Sequence, residues 1–389
     1  MRLLATRLTA IASAVKRLFS PASLFRNSEQ GVWYDPSDFS TLFQDSAGTT
    51  PVTAVEQPVG LVLDKSKGLV LGAEVVMNGG FDDATGWTSV NGNANISAGK
   101  LNVTGLISGG ATIAVNSGAV IIGKTYLVIY TIESITGSVS CGGGITTNPQ
   151  TAPGTYSQYV VATTTTISVV GRGGGVTAAV IDNISVKELP GNHATQATAA
   201  SRPVLKQDTN GKYYLLFDGI DDSLSTASID FTSTDKMTVF AGVRKLSDAT
   251  GMVVEFSANA GTNAGSFYLL SGTDAGYSYG AISRGNAVTA ANQLAGLIVA
   301  APDTAVLSSK HDISGDLSTI RRNGVAGTSG TGDKGTGTFG NYPLYVGRRG
   351  GTSVPFNGHL YSLIIRGAQS SDSQIVSAES YVNSKTGAY

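Results

Sequence analysis

Carboxylates are the side chains in this sequence that could most readily do chemistry. Two of them at alternating positions of one strand can act as nucleophile and general acid in glycoside hydrolysis. No strand-like segment carries such a pair, and Glu255 stands alone among apolar neighbours. Of the three histidines, His193 is assigned no role, and His311 and His359 are separated by strands and lack a cysteine or carboxylate pattern typical of catalysis. We therefore predict that the protein is not an enzyme.

Two glycine-rich motifs match the residue pattern of catalytic signatures but lack the secondary structure that these signatures require. Residues 276–280 read GYSYG, as in a nucleophile elbow, but they lie in an alternating aromatic run and not at a strand–turn–helix. Residues 330–335 read GTGDKG, as in a dinucleotide fingerprint, but the surrounding sequence predicts no βαβ unit. We interpret the first as a chance match and the second as a loop.

Calcium binding is the second chemistry that the carboxylates allow. Asp218, Asp221 and Asp222 cluster in the segment FDGIDD at 217–222. Carboxylate oxygens are ligands that calcium prefers, so these acids could hold an ion at the rim of a domain. A glycine-containing turn explains the same three acids equally well. The sequence leaves both interpretations open.

Composition indicates the elements that must position these residues. Glycine supplies 50 of the 389 residues, and charged residues are only 14% of the chain, well below the usual share. Lys plus Arg (26) nearly balances Asp plus Glu (27), which argues against nucleic acid as a partner. The single cysteine, Cys141, excludes a disulfide framework and a cysteine-rich zinc site. We predict an all-β protein with two β-sandwich (jelly-roll) domains in tandem, and no cofactor other than structural calcium.

Residues 1–70 are predicted to be a helix and an extended arm that anchor the chain. The first 25 residues are basic, with no acid before Glu29, and apolar side chains recur at heptad-like spacing up to Pro21. This stripe consists of Leu4, Leu8, Ile11, Val15 and Leu18. A secretory signal is disfavoured because Arg7 and Lys16 interrupt the apolar stretch. Docking on a partner or self-association is favoured over a membrane surface, because bulky membrane-facing aromatics are missing.

The arm after this helix is rich in aromatic residues. Pro36, Pro51 and Pro58 break any long regular element there. The aromatic residues are Trp33, Tyr34, Phe39 and Phe43. Aromatic side chains on an irregular segment are typical of interface hot spots, so we predict that these four anchor the chain. An equally good alternative is that they complete the core of the following domain.

Residues 71–189 alternate short apolar–polar runs with Gly and Asn turns, which predicts a sandwich of about eight strands. The opening NGGFDDATGW at 78–87 and the closing IDNISVKE at 181–188 resemble the two ends of a carbohydrate-binding-module jelly roll of the CBM4/9-like group. The resemblance implies a structural calcium ion, with oxygen ligands from Asp82, Asp83 and Asp182. Turn caps are the favoured alternative for these acids.

Residues 190–203, with the sequence PGNHATQATAASRP, are small, polar and bracketed by prolines, and are predicted to be a linker. Residues 204–389 predict a second sandwich. Asn323-Gly324 predicts a hairpin turn within it. A helix is predicted at 371–384, with Ser371 as its cap.

This second sandwich resembles a concanavalin A-like (laminin-G-like) lectin domain. The matching segments are FDGIDD at 217–222, LYVG at 344–347 and FNGHLYSLII at 356–365. The resemblance implies glycan binding. Aromatic residues and hydrogen-bond donors near turns are the predicted contacts: Tyr277, Tyr279, Tyr342, Arg348 and Arg349.

The order of helix, aromatic arm, jelly roll and lectin-like sandwich resembles bacteriophage virion appendage proteins, meaning head or tail fibres and decoration proteins. The segment GVWYDPSDFSTLFQD at 31–45 carries the same resemblance. It implies that residues 1–70 attach to other virion proteins, while the sandwiches face host-surface glycan at the surface of the phage particle. A homo-oligomer, such as the trimer common among fibres, is also expected. We expect a chain lacking residues 1–70 to stay folded.

Two other functions fit the same sequence. One is a secreted bacterial carbohydrate-binding protein or an inactive relative of a glycanase. The other is a capsid stabiliser without a ligand.

Overall fold

The computed structural model describes residues 19–88, 90–272, 276, 278–286 and 295–389. In these ranges antiparallel strands dominate and one α-helix is present, so the predicted all-β class is confirmed. No helix within the described ranges is long and apolar enough to cross a membrane. The stripe of the predicted N-terminal helix (Leu4, Leu8, Ile11, Val15 and Leu18) lies outside the described residues.

The strands before residue 70 are β1 (Gly31–Tyr34), β2 (Leu42–Phe43) and β3 (Leu61–Val62). Those of residues 71–189 are β4 (Trp87–Thr88), β5 (Ala94–Ser97), β6 (Lys100–Val103), β7 (Thr112–Ala119), β8 (Thr125–Gly143), β9 (Gly154–Val161) and β10 (Thr166–Glu188). Those after residue 189 are β11 (Ala194–Thr195), β12 (Val204–Gln207), β13 (Tyr213–Asp218), β14 (Leu224–Asp230), β15 (Lys236–Lys245), β16 (Gly251–Phe256), β17 (Ser266–Ser271), β18 (Tyr279–Arg284), β19 (Ala295–Leu297), β20 (Asp303–Asp312), β21 (Leu317–Arg322), β22 (Val325–Ala326), β23 (Asn341–Val346) and β24 (Asn357–Arg366). Short 3-10 helices lie at Pro21–Phe25, Phe39–Thr41 and Ala199–Ser201, and the α-helix α1 spans Asp372–Thr386.

The strands after residue 189, together with β1 to β3, build two sheets that face each other, which we call the large sandwich. Its eight-stranded sheet has the order β12-β13-β24-β15-β20-β21-β22, and β1 also pairs with β24. Its nine-stranded sheet has the order β19-β18-β17-β16-β23-β14-β11-β3-β2. Alternate side chains of both sheets, such as Ile365 of β24 and Leu344 of β23, meet in one apolar core.

The segment predicted to be an extended arm is part of the large sandwich. β1 pairs antiparallel with β24, with Val32 opposite Ile365. Val32 and Tyr34 enter the main core, whereas Trp33 faces the opposite side of the sheet and packs near α1. β2 and β3 extend the nine-stranded sheet. The arrangement differs from the prediction because the alternating apolar side chains of this segment fill positions in the core.

Residues 71–189 form a separate seven-stranded antiparallel sheet, which we call the inserted sandwich because it interrupts the large sandwich in sequence. The long strand β10 pairs with β8 on one edge and with β7 and then β6 on the other. Register shifts between Gly171 and Val176 divide β10 into two parts. The apolar side chains of the whole unit close on a single core, in which Phe81 and Trp87 stack with ring centroids 4.7 Å apart.

The predicted linker at 190–203 is folded into the large sandwich. β11 pairs with β3 on one side and with β14 on the other. Beside it, Nδ1 of the buried His193 accepts the Asp64 N–H at 2.9 Å. The Asp64 carboxylate accepts the N–H groups of Trp33 and Asn192, each at 2.8 Å. Burial raises the pKa of Asp64 and lowers that of His193. This cluster joins the two stretches of chain that flank the inserted sandwich.

The helix α1 covers part of the outer face of the eight-stranded sheet. A capping box starts it, because the Ser371 hydroxyl accepts the Gln374 N–H and the Gln374 side chain accepts the Ser371 N–H. The predicted C-terminal helix is therefore present. Its buried face packs in an apolar layer that contains Trp33, Phe240, Val306, Ile364, Ile375, Ala378 and Val382.

Candidate functional site

The predicted glycan contacts do not form one group. Tyr277 lies outside the described residues. Tyr279 is fully buried on the inner face of the nine-stranded sheet, where its hydroxyl donates to Asp303 Oδ2 at 3.0 Å. Tyr342 is half-buried and packs edge-on against Phe256 at 5.6 Å. The prediction was wrong for Tyr279 because its side chain is part of the core and cannot stack on a ligand.

The two predicted arginines lie in different surroundings. Arg348 donates from Nη1 to the Asp221 carbonyl oxygen at 3.4 Å, beside the acidic turn. Arg349 donates from Nε to Glu255 Oε2 at 3.1 Å, and its guanidinium lies 5.7 Å from the ring centre of Tyr268. Arg349 therefore identifies a cluster on the outer face of the nine-stranded sheet.

That cluster is a row of three side chains, Tyr345, Glu255 and Tyr268, which we call the tyrosine row. Glu255 of β16 lies opposite Tyr345 of β23 on one side and opposite Tyr268 of β17 on the other. Strand spacing places the two tyrosines about 9 to 10 Å apart across the sheet. Both rings are half-buried. The row therefore presents one partly exposed aromatic ring on each side of an acidic residue.

The strand pattern explains why this row faces outward. The neighbours of its three members fill the core: Leu344 and Val346, Val254 and Phe256, Phe267 and Leu269. Because side chains alternate along a strand, the residue between each pair must face away from the core. Tyr268 and Tyr345 were not among the residues predicted from sequence, although this alternation was a signal that could have found them.

The carboxylate at the centre of the row is fixed from two sides. Glu255 is fully buried, and its Oε1 accepts the Ala260 N–H at 2.6 Å while Arg349 covers Oε2. Burial raises the pKa of Glu255, and the Ala260 hydrogen bond and the Arg349 charge oppose that rise. The chain turns sharply after β16 at Ser257, whose φ of 97° is rare for a residue with a side chain. This turn brings Ala260 back to the carboxylate.

The row can bind polar ligands with apolar faces. Tyrosine rings stack on such faces, and the partly exposed Arg349 offers further hydrogen-bond donors. Hydrolysis of a glycosidic bond normally uses two carboxylates, and the row holds one. The geometry thus suits binding.

The acidic turn is the other notable cluster. The carboxylates of Asp218, Asp221 and Asp222 lie within 4.8 Å of one another and form the one potential metal-binding group among the described residues. Burial, together with its two acidic neighbours, raises the pKa of Asp222 to about 6. Asp222 also accepts the Asp218 N–H at 3.0 Å, and Ser201 donates to Asp221 at 2.8 Å. The oxygens suit calcium, but part of their capacity is used within the turn.

The acids predicted to bind calcium in the inserted sandwich are not brought together as a metal site in the described part of the chain. Asp182 pairs with Lys100 at 3.2 Å, and Asp82 is exposed. Asp83 accepts the Thr85 N–H at 2.7 Å, which is an Asx-turn. These contacts match the alternative of turn caps, because a lysine and local N–H groups take the oxygens.

The predicted anchoring aromatics are packed inside the molecule. Trp33 and Tyr34 are buried. Phe39 packs edge-on against Tyr213 at 5.0 Å, and Phe43 against Tyr159 of the inserted sandwich at 5.4 Å. These rings complete cores and the junction between the two sandwiches, which is the alternative that the sequence left open. They do not form a free docking surface.

No family model matches the chain, and no curated protein matches it. Among solved structures, the CBM40 of Ruminococcus gnavus IT-sialidase bound to alpha2,3 sialyllactose is 18% identical, with a TM-score of 0.29 over 38% of this chain and 83% of that one. Trypanosoma rangeli sialidase in complex with the inhibitor DANA is 9% identical, with a TM-score of 0.34 over 64% of this chain and 32% of that one. The botulinum neurotoxin serotype D binding domain is 10% identical, with a TM-score of 0.31 over 47% of each chain. These partial likenesses assign neither a family nor a function to the chain.

Proposed function

We propose that the protein is a non-enzymatic carbohydrate-binding protein, and that the tyrosine row of the large sandwich binds the sugar. The observation that carries the proposal is the placement of Tyr345 and Tyr268 on either side of the Glu255–Arg349 ion pair. A sugar ring has an apolar face that stacks on an aromatic ring and hydroxyl groups that bond to charged side chains. The two tyrosines supply the first kind of partner, and the partly exposed Arg349 beside the row supplies the second.

The rigidity of the row also favours binding. The Glu255 side chain is held by Ala260 and Arg349, and the two tyrosines stand on paired strands of a sheet. Little side-chain freedom is lost when a ligand binds to groups that are already held in place. A surface of this kind can achieve useful affinity from few contacts.

The test is a glycan array with the full chain, followed by calorimetry on the best ligand. We expect Tyr345→Ala and Tyr268→Ala each to weaken binding roughly tenfold, which is about 1.4 kcal/mol. Tyr389→Ala is the matched control, because Tyr389 is 59% exposed and lies near Glu379 of α1 and Arg321 of the other sheet. Absence of any glycan ligand, or equal affinity in all three variants, would overturn the proposal. Release of reducing ends from the bound glycan would overturn its non-enzymatic part.

We further propose that this binding serves attachment of a phage particle, with the protein as a head or tail fibre or decoration protein at the virion surface. The proposal rests on the resemblance of residues 31–45 and on the basic N-terminal segment. Because residues 31–34 pair with β24, we now assign attachment to other virion proteins to residues 1–18.

Removal of residues 2–18 tests the attachment. We expect the shortened protein to keep its glycan affinity, lose its place on labelled particles and lose self-association in sedimentation, where the full chain is a homo-oligomer such as a trimer. Normal incorporation into particles would overturn the attachment. Secretion of the protein by a bacterium without particles would instead favour the second function, a bacterial carbohydrate-binding protein.

A further inference from the structure

The outer face of the eight-stranded sheet carries a polar row beyond the end of α1. His359 of β24 lies opposite Leu216 of β13 on one side and opposite Arg244 of β15 on the other, and Arg244 lies opposite Thr304 of β20. The neighbouring Val243 belongs to the core, so Arg244 faces outward. This face is on the opposite side of the sandwich from the tyrosine row.

Arg244 has no partner among the residues that the structure describes. It is half-buried, its Nε is shielded from solvent, and no hydrogen bond or ion pair reaches it from the described residues. Seven other arginines of the large sandwich have partners. Arg321, Arg322, Arg349 and Arg366 pair with acidic side chains, and Arg202, Arg284 and Arg348 donate to backbone carbonyl oxygens. A shielded guanidinium nitrogen without an acceptor is costly, so a site of this kind favours an incoming anion.

A second donor without an acceptor lies close by. Ser362 is opposite Gly242, two positions before Arg244 on β15 and on the same face. Its side chain is fully buried, and its hydroxyl has no hydrogen-bond partner. Residues two apart on a strand are about 7 Å apart. One small patch thus contains two unsatisfied donors.

The remaining polar groups of the patch are occupied or neutral. His359 stacks on Tyr214 at 3.8 Å, and burial and the Arg244 charge lower its pKa to about 4. Tyr361 donates to Asp208, the acidic group facing the patch, at 3.2 Å. Lys206 pairs with Glu56. Arg244 is therefore the positively charged group of the patch that is available to bind a ligand.

We propose that this patch is a second binding site, which takes an oxyanion group on Arg244 beside the Tyr214–His359 stack. The planar guanidinium fork matches a carboxylate, a sulfate ester or a phosphate monoester, each of which offers two oxygens at once. The shared chemistry is the oxyanion, and a ring attached to it would lie beside the aromatic stack. The site is separate from the tyrosine row and extends the range of ligands beyond neutral sugars.

The test follows the side-chain Nε–Hε signal of Arg244 by NMR in arginine-labelled full-length protein. Acetate, sulfate and phosphate are titrated separately at constant ionic strength, with chloride as the reference anion. We expect a saturable shift for at least one of the three, and the responding anion identifies the ligand class. No saturable shift for any of them overturns the proposal.

Variants separate the site from general charge effects. Arg244→Gln removes the NMR signal, so binding to this variant is followed by the tryptophan fluorescence and thermal stability of the protein. We expect that the responding anion changes neither of these in Arg244→Gln. Arg244→Lys keeps the charge without the fork, and we expect at least fivefold weaker binding. The control Arg172→Gln changes an arginine of the inserted sandwich that bonds to Ser140, and we expect wild-type behaviour. Equal stabilisation of wild type and Arg244→Gln by the anion overturns the proposal. We expect Tyr345→Ala to leave anion binding intact, so the oxyanion site and the tyrosine row are tested independently.

Discussion

The two sandwiches differ in how the chain builds them. The inserted sandwich uses one continuous run, residues 71–189, and all seven of its strands come from that run. The large sandwich uses two stretches on either side, and three of its strands (β1, β2 and β3) come from the first. A domain built from one run holds its whole core in local sequence. A domain built from two depends on a segment that looks dispensable in the sequence.

The two sandwiches also differ strongly in the polar side chains that they bury. The buried polar residues of the inserted sandwich are all uncharged: Asn116, Thr125, Ser140, Thr147, Gln158 and Ser168. The large sandwich buries ionisable groups, among them Asp64, Lys245, Glu255, His311 and Glu379. Buried carboxyl and imidazole groups make folding depend on pH in acid, whereas buried amides and aliphatic hydroxyls do not. The buried Cys141 and Tyr130 of the inserted sandwich have raised pKa values, so they stay neutral in acid.

The largest effect should come from deleting residues 1–70. We expect the large sandwich to unfold, because the deletion removes β1 to β3 and the buried Val32, Tyr34 and Leu42. This reverses the expectation from sequence that the remainder would stay folded. Loss of a cooperative transition in urea, and rapid proteolysis of residues 204–389, would be the measured result.

The matched control replaces residues 73–187 with a short Gly-Ser loop. The Gly72 N–H donates to the Glu188 carbonyl oxygen at 2.8 Å, so the two ends to be joined are already adjacent. We expect the large sandwich to remain folded in this variant. If both variants fold, or neither does, the proposed difference between the two units is wrong.

The next largest effect should be a difference between the two units in how their stability depends on acid pH. Burial lowers the pKa of His311 to about 3, so in mild acid the unfolded chain takes up a proton that the folded chain refuses. Stability therefore falls as pH falls below the ordinary histidine range, by about 1.4 kcal/mol per pH unit for this residue. His359 shifts in the same direction, and residues 71–189 contain no histidine.

The two tryptophans allow each unit to be followed alone, since Trp33 lies in the large sandwich and Trp87 in the inserted one. Urea unfolding of Trp87→Phe reports the large sandwich, and Trp33→Phe the inserted one. Between pH 7 and 5 we expect the first to lose stability, because the lowered pKa values of His193, His311 and His359 outweigh the raised pKa of Asp222. We expect the second to change little. His311→Gln should flatten the slope of the first, and parallel slopes for both units would refute the assignment.

A smaller effect is expected at the junction. Tyr159 of the inserted sandwich packs against Phe43 at 5.4 Å, and its N–H donates to Ala47 at 2.8 Å. Tyr159→Ala should remove about 1 kcal/mol of coupling between the units, because an aromatic pair contributes roughly that much. The two single-tryptophan transitions should move apart in this variant. Ser157→Ala, at an exposed position of β9, is the control and should leave their separation unchanged.

The smallest effect concerns calcium. If the acidic turn takes the ion, millimolar calcium should stabilise the large sandwich by about 1 kcal/mol at pH 7.5. The gain should vanish at pH 5, because Asp222 has a pKa of about 6 and must be deprotonated to bind. Asp222→Asn should abolish it. Stabilisation of the Trp87 transition instead would place the ion with Asp82, Asp83 and Asp182.

Local patterns carried the correct predictions. Ser371 caps α1, as predicted, and Asn323-Gly324 joins β21 to β22 as a tight turn. Alternation around Tyr268 and Tyr345 could have located the tyrosine row. Pairing between distant segments could not be predicted in this way. Nothing in residues 31–34 specifies β24 as their partner, and Arg349 reaches Glu255 across 94 positions.

The adjacent ends of the inserted sandwich have a mechanical consequence. Its entering and leaving segments are joined by the Gly72–Glu188 hydrogen bond and by the bridge between Glu74 and Lys187. Tension applied between the start of the chain and a ligand on the tyrosine row would run through the β1–β24 ladder and the large sandwich. The inserted sandwich lies outside that path, because its two ends are held together, and it therefore carries none of the tension. Its own resistance to unfolding therefore sets no limit on the load that the protein can carry.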